Sequence, residues 1–93
     1  MLPLIWQPEA GDDWRTILDF ISDQSPQGAR TLQALLTQSL ERVSVYPHLY
    51  REGRVAGTRE ALFHPNYFYV YRVQSECIEI LSVIHARREY PPS

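Results

Sequence analysis

The sequence predicts a single α+β domain with element order β-α-α-β-β-β, in which an antiparallel helix hairpin packs on one face of a mainly antiparallel four-stranded sheet. Its 93 residues, 44% of them apolar, provide enough side chains for one core. Two stretches of the first half carry apolar residues at helical spacing. Three stretches of the second half are rich in β-branched and aromatic residues and are separated by turn residues. Residues 1–93 are therefore expected to form one domain.

The first half should contain one strand followed by two helices. Residues 2–7 are short and apolar, and Pro8 suits the first position of a helix. The first helix should end near Gln24. Its apolar residues recur at intervals of three and four, which places them on one face: Trp14, Ile17, Leu18 and Ile21.

The second helix should begin directly after the first. Ser25 is a favourable N-cap and Pro26 a favourable first residue. The helix should end near Val45, because Pro47 disfavours helical geometry in the residue before it. Its apolar stripe consists of Ala29, Leu32, Leu36, Leu40 and Val43. Since each helix is apolar on one side only, both should lie on the same sheet.

The second half should contain a loop over residues 47–57 and then strands over residues 58–63, 67–73 and 77–85. A two-residue turn at Ser75-Glu76 would pair Arg72 with Glu79. Alternation then gives each face of the last two strands its own residues. The face toward the helices should carry Tyr69, Tyr71, Val73, Ile78, Ile80, Ser82 and Ile84. The open face should carry Phe68, Val70, Arg72, Glu79, Leu81, Val83 and His85.

Charge and composition exclude several classes of protein. All nine basic residues are arginine and the net charge is −2, so the whole chain is not an electrostatic trap for nucleic acid. Residues 1–50 carry a net charge of −3 and residues 51–93 one of +1, so an anionic partner should meet the second half. Histidines are scattered and Cys77 is alone, which predicts no metal site and no cofactor. We expect a cytoplasmic protein without a membrane span or secretion signal.

Three motifs of the second half, GRVAGTRE, HPNYFYVYRV and IEILSVIHARREYP, together with the element order, resemble the ParE/RelE superfamily of bacterial toxins. The resemblance covers essentially the whole chain and implies a toxin held inactive by a co-expressed antitoxin. RelE-like members cut messenger RNA in the ribosome, whereas ParE-like members inhibit DNA gyrase without cutting RNA. It also implies that the toxin contacts operator DNA only through the antitoxin, in a hetero-oligomer.

The residues favour the ParE-like alternative. Cleavage by the 2′-hydroxyl needs a group that activates it, a cation for the developing charge and an acid for the leaving oxygen. RelE-like nucleases supply these from lysines and arginines of the open face. This chain has no lysine, and Phe68 and Ala86 stand where the resemblance implies catalytic arginines. We therefore expect no catalytic residue and a non-enzymatic inhibitor, with gyrase as its target.

Target binding is predicted for the end of the chain. Arg87, Arg88 and Tyr90 follow the last strand, have no evident core role and are of types enriched in binding hot spots. His85 is placed with this cluster, either as a general base or as a hydrogen-bonded structural residue, and Arg59 either contacts the target or fixes its loop to the sheet. The antitoxin is expected to contact apolar strips of the helices and the sheet: Trp14, Leu18, Phe68, Arg72 and Leu81.

Two other functions remain open at this point. One is a RelE-like, ribosome-dependent endoribonuclease that uses His85, Arg87 and Tyr90 in an altered arrangement. The other is a non-toxic relic of the fold that only binds an antitoxin. Arrest of translation would indicate the nuclease, DNA damage with filamentation would indicate gyrase inhibition, and an absence of any growth defect would indicate the relic.

Overall fold

The computed structural model describes residues 1–92, and the predicted helix hairpin and sheet are confirmed. The elements are β1 Leu4–Trp6, α1 Pro8–Gln24, α2 Pro26–Val45, β2 Arg51–Glu52, β3 Arg59–His64, β4 Tyr67–Val73 and β5 Ile78–His85. Among these residues no helix combines the length and apolar character that crossing a bilayer requires.

The two helices begin and end where the sequence predicts. Pro8 and Pro26 occupy first-turn positions, where a missing N–H leaves no hydrogen bond unmade. Ser25 separates the helices, and its side-chain oxygen accepts a hydrogen bond of 2.9 Å from the Gly28 amide. The apolar stripes of both helices pack on one face of the sheet, around Leu32, Leu36 and Val43.

The sheet has five strands in the order β1-β5-β4-β3-β2, one more than predicted. The extra strand, β2, is a two-residue pairing of Arg51 with Glu60 and of Glu52 with Arg59. It lies in the segment predicted as a loop, because two residues are too few to show an alternating pattern. β1 runs parallel to β5, and every other pairing is antiparallel.

A bulge in β5 reverses the predicted faces at its end. The predicted pairs of Arg72 with Glu79 and of Tyr71 with Ile80 are present, but Val70 pairs with Ser82, so Leu81 is an extra residue. Beyond it the alternation shifts by one position. Val83 therefore belongs to the helix-side core and Ile84 to the open face, opposite to the prediction. His85, paired with Tyr67, is likewise absent from the open face.

The helix-side core contains a buried polar centre. The Ser39 hydroxyl is fully buried and hydrogen-bonds the phenols of Tyr50 and Tyr69, each at 2.8 Å. The Tyr71 phenol donates to the Pro47 carbonyl at 2.8 Å. These bonds satisfy the tyrosines that the sequence predicts to face the helices, and they tie the segment after α2 to β4.

Candidate functional site: a groove on the open face

A groove of about 400 Å³ lies on the open face of the sheet and extends to the side of β5 where α1 begins. Its floor is apolar, formed by Val70, Leu81 and Ile84. Its walls come from the start of α1, from the loop after β2 and from the chain after β5, which we call the tail, residues 86–92. The charged residues around it are Glu9, Asp13, Arg72, Arg88 and Glu89.

The tail returns across the open face instead of projecting from the fold. The rings of Tyr90 and Phe68 meet edge to face, with centroids 5.8 Å apart. Phe68 is only 2% exposed as a result of this cover and its neighbours. Burial, with Glu60 nearby, raises the pKa of the Tyr90 phenol. The expectation that Tyr90 has no core role is therefore wrong, because Tyr90 packs against the apolar cluster of the open face.

Arg54 lies between the sheet and Tyr90. Its guanidinium carbon is 5.3 Å from the centroid of the Phe68 ring and 5.8 Å from that of Tyr90. Its Nη1 also donates to the Tyr90 carbonyl at 3.2 Å. A single side chain thus contacts both the sheet and the tail.

The carboxylate of Glu60 holds Arg54 in this position. Glu60 is 3% exposed, and its Oε1 accepts from Arg51 at 3.1 Å and lies 3.4 Å from Arg54 Nη2. Its Oε2 accepts from the backbone N–H of Arg54 at 2.8 Å. The carboxylate is therefore compensated by two guanidinium groups and one amide, as a buried charge must be.

Arg72 forms the predicted ion pair with Glu79 across the two strands. Arg72 Nε and Nη2 donate to the same carboxylate oxygen at 3.0 and 2.9 Å. Hydrogen bonds from the Gln74 amide, then from Arg72, hold the pKa of Glu79 below its usual value. Gln7 donates to the other oxygen of Glu79. This arginine is thus engaged within the molecule.

His85 lies on the other face from Tyr90. Its ring meets Tyr67 edge to face at 5.0 Å, and Tyr67 belongs to the helix-side core whereas Tyr90 covers Phe68. Its Nδ1 accepts a hydrogen bond of 3.1 Å from the Arg87 amide. The structure therefore gives His85 a local role at the end of β5, and it does not bring His85 and Tyr90 together.

Arg59 is also separate from the tail. Its Nη1 donates to the carbonyl of Tyr50 at 2.8 Å and approaches that of His48 at 3.5 Å. It lines a second depression, on the far side of the loop after β2. Of the five residues predicted for target binding, Arg88 and Tyr90 line the open-face groove, and Arg87 is exposed beside them.

The residues predicted to contact an antitoxin differ in exposure. Trp14 packs edge to face on Phe63, at 6.0 Å between centroids, and Phe68 lies beneath Tyr90. Leu18 is half-buried on α1, while Arg72 and Leu81 line the groove. The last three are accessible to a partner in this conformation. Contact of an antitoxin with any of the five stays a prediction.

Arg54 is the site residue that the sequence did not single out. One signal was available, because Gly53 and Gly57 bracket it within the GRVAGTRE motif. A Cβ at Gly53 would clash with Thr58 Oγ1, and Gly57 has a φ of +81°, so both positions require glycine. Such constraints mark a loop held in one shape, and Arg54 is the side chain that this shape presents.

Fold and site together define a small α+β protein with a groove on its open sheet face. The model of the family described as "ParE toxin of type II toxin-antitoxin system, parDE" matches residues 4–90. The chain therefore belongs to this family of toxins, within the ParE/RelE superfamily.

Individual relatives agree with this assignment. The chain is 32% identical over 73 residues to "Putative toxin Y4kP" of Sinorhizobium fredii, an alignment covering 77% of this chain and 75% of the relative.

Solved structures share the fold. "Chromosomal ParDE TA system from P. aeruginosa" matches with a TM-score of 0.78 and 20% identity, covering 91% of this chain and 96% of the other. "The structure of YoeB dimer from Staphylococcus aureus" matches with a TM-score of 0.64 and 15% identity, covering 90% and 95%.

Proposed function

We propose that this toxin acts without catalysis, by binding DNA gyrase through its tail, and that a cognate antitoxin neutralises it. The observation that carries the proposal is the chemistry of the open-face groove. Its floor is apolar, and Arg72 on the sheet is paired with a carboxylate, as is Arg54, which contacts Tyr90 beside the groove. Arg88, on the tail side of the groove, is exposed.

Ribonuclease chemistry needs an unpaired cation and a proton acceptor directed at one phosphate. In the groove Arg72 is offset by Glu79. Arg88, which has no ion pair in the part of the chain that the structure describes, lies among three carboxylates that repel a phosphate, those of Glu9, Asp13 and Glu89. The Tyr90 phenol is protonated at neutral pH, as a tyrosine ordinarily is, and burial raises its pKa further. His85, the histidine nearest to Tyr90 in the sequence, contacts Tyr67 on the helix side of the sheet. This arrangement favours protein binding over phosphoryl transfer.

The tail supplies groups suited to an acidic protein surface. Arg87 and Arg88 are exposed and form no side-chain ion pair within residues 1–92. Guanidinium groups make bidentate contacts with carboxylates and stack on planar groups. Membership of the ParE family, together with the greater likeness in fold to the ParDE system than to YoeB, supports gyrase as the target.

An antitoxin is the expected second partner. The structural relatives include complexes of toxins with antitoxins, among them "YoeB-YefM complex from Staphylococcus aureus". In this chain the open-face groove has an apolar floor and charged residues around it, as a recognition groove for a peptide segment would have. A hetero-oligomer of toxin and antitoxin would then be the resting form.

The proposal is tested by running two assays on the same preparation. In the first, purified toxin is added to gyrase with relaxed plasmid, and we expect loss of supercoiling or accumulation of cleaved DNA. In the second, toxin is added to ribosomes translating a defined message, and we expect toeprints without new cleavage. Arg87→Ala with Arg88→Ala should lose gyrase inhibition, and Arg30→Ala with Arg42→Ala, two exposed arginines of α2, serves as its charge-matched control.

The opposite pattern would overturn the proposal. Message cleavage at codons in the ribosomal A site, abolished by His85→Ala, would establish the endoribonuclease. A toxin that inhibits neither system and leaves growth unchanged on induction would indicate a non-toxic member that only binds its antitoxin.

A further inference from the structure

The GRVAGTRE motif is conformationally constrained, and neither catalysis nor target binding explains it. Gly53 N–H donates to the Thr58 carbonyl at 2.7 Å, and the Thr58 amide and hydroxyl both donate to the Val55 carbonyl, at 3.2 and 2.7 Å. With a left-handed Gly57 and no room for a side chain at Gly53, these bonds close the loop into one shape. The loop ends adjoin β2 and β3, so the sheet fixes their position.

This closed loop presents Arg54 to Phe68 and Tyr90 on the open face, while Val55 and Ala56 of the same loop line the groove. The Glu60 carboxylate forms an ion pair with the Arg54 guanidinium and accepts a hydrogen bond from the Arg54 backbone N–H, so the arginine is held at two points. The far end of the guanidinium then reaches the carbonyl and the ring of Tyr90. Together these contacts join the sheet interior to the tail.

We propose that Arg54 is the positioning residue of the toxin: anchored by Glu60, it fixes Tyr90 on Phe68 and thereby sets where Arg87 and Arg88 face the target. This inference rests on the proposed role of the tail in binding gyrase. Arg54 itself need not touch the target. By restraining the tail before the target binds, Arg54 lowers the conformational entropy that the tail loses on binding.

Arg51 provides a matched control within the same network. Arg51 and Arg54 both pair with Glu60 Oε1, at 3.1 and 3.4 Å. Arg54 alone stacks on Phe68 and Tyr90. Arg51→Ala and Arg54→Ala therefore remove the same charge from the same carboxylate, but one of them also releases the tail.

The experiment compares Arg54→Ala, Arg54→Lys and Arg51→Ala with the wild type, each purified with the antitoxin and then freed of it. Trypsin cleavage after Arg87 and Arg88, followed by mass spectrometry, reports tail release. We expect Arg54→Ala to raise that rate by about tenfold and to weaken gyrase inhibition by a similar factor. Arg54→Lys, which keeps the charge but loses the planar stack, should fall between, and Arg51→Ala should behave as wild type.

Each result supports or overturns the inference. Equal tail cleavage in Arg54→Ala and Arg51→Ala would show that Arg54 does not position the tail. A released tail with undiminished gyrase inhibition would show that positioning is irrelevant to the target. If Arg54→Ala fails to fold, Tyr90→Ala keeps the Arg54–Glu60 pair and should release the tail equally. Lack of gyrase inhibition by the wild type would overturn the proposed function, and the cleavage comparison would still decide the role of Arg54.

Discussion

At the scale of single residues, the carboxylate of Glu60 depends on two arginines. It is 3% exposed, whereas the side chains of Arg51 and Arg54 are 68% and 44% exposed. Removing one arginine leaves the other as a partner, but removing both leaves a buried charge uncompensated. The arrangement is therefore tolerant of one substitution and intolerant of two.

We predict that Arg51→Ala with Arg54→Ala lowers the free energy of unfolding by about 3 kcal/mol, more than the two single variants together. Urea denaturation of the singles and the double measures this. Adding Glu60→Gln to the double variant should recover part of the loss, since the unpaired charge is then gone. If the stability losses of the two single variants simply add in the double variant, and Glu60→Gln recovers none of the loss, Glu60 is solvated in solution.

Tyr69 makes a separate residue-scale prediction, on pH. Burial raises the pKa of its phenol well above the ordinary value, and burial also raises that of Tyr71. The unfolded chain releases these protons near pH ~10, while the folded chain retains them. Stability is therefore intact below that pH and falls above it, by up to about 1.4 kcal/mol per pH unit for each group.

Tyr69→Phe should make the alkaline loss of stability shallower, at a cost of about 1 kcal/mol at neutral pH for the hydrogen bond to Ser39. Denaturant midpoints at pH 8 and pH 11 provide the comparison. Tyr46→Phe, at an exposed tyrosine, is the control and should leave the pH dependence unchanged. If stability falls equally between pH 8 and pH 11 in the wild type and both variants, Tyr69 is not the source of the alkaline loss.

At the scale of elements, local sequence signals predicted most of the fold. Proline and serine signals place both helix starts, and the turn at Ser75-Glu76 gives the register of Arg72 with Glu79. The bulge at Leu81 was not predictable, because its neighbours are apolar or small and suit either face. Every assignment after it was reversed for that reason, including Val83 and Ile84.

The site was predicted less completely than the fold. The exposed arginines Arg87 and Arg88 were identified as residues without a core role, and they are exposed. The return of Tyr90 onto Phe68 depends on a contact between distant segments, of which Arg54 is the third member. No periodicity within the tail encodes such a contact, so sequence patterning could not show it.

From the charge of the tail we predict that this element is required for toxicity. Arg87→Ala with Arg88→Ala should abolish growth inhibition while changing stability by less than about 0.5 kcal/mol, because both side chains are exposed. Thermal melting, antitoxin pull-down and viability after induction are measured on one preparation of each variant. The control, Arg30→Ala with Arg42→Ala, should remain toxic. Full toxicity without Arg87 and Arg88 would remove the tail from the mechanism, and unfolding would make these arginines structural.

At the scale of the whole molecule, apolar side chains remain exposed on several elements, as expected for a chain that works in a complex. They include Ile5, Phe20, Val45, Tyr46, Leu49 and Leu62. Phe20 on α1 is 60% exposed and Leu62 on the open face of β3 is 59% exposed. A partner that covered both the helices and the open face would remove much of this surface from water.

We predict that the isolated chain self-associates and that the product of the neighbouring antitoxin gene keeps it in a defined complex. A ligand that binds only the folded state stabilises it by mass action, so the melting temperature should rise with antitoxin concentration. The free energy of unfolding should increase by about 4 kcal/mol when the antitoxin is at roughly a thousand times Kd. Sedimentation of the chain alone and with its partner, beside thermal melts over a concentration series, provides the measurement. Phe20→Ser and Leu62→Ser, compared separately, show which face the partner covers, since only the covered position should weaken the complex. A chain that is monomeric and harmless alone and does not bind the neighbouring gene product would contradict the assembly proposed here.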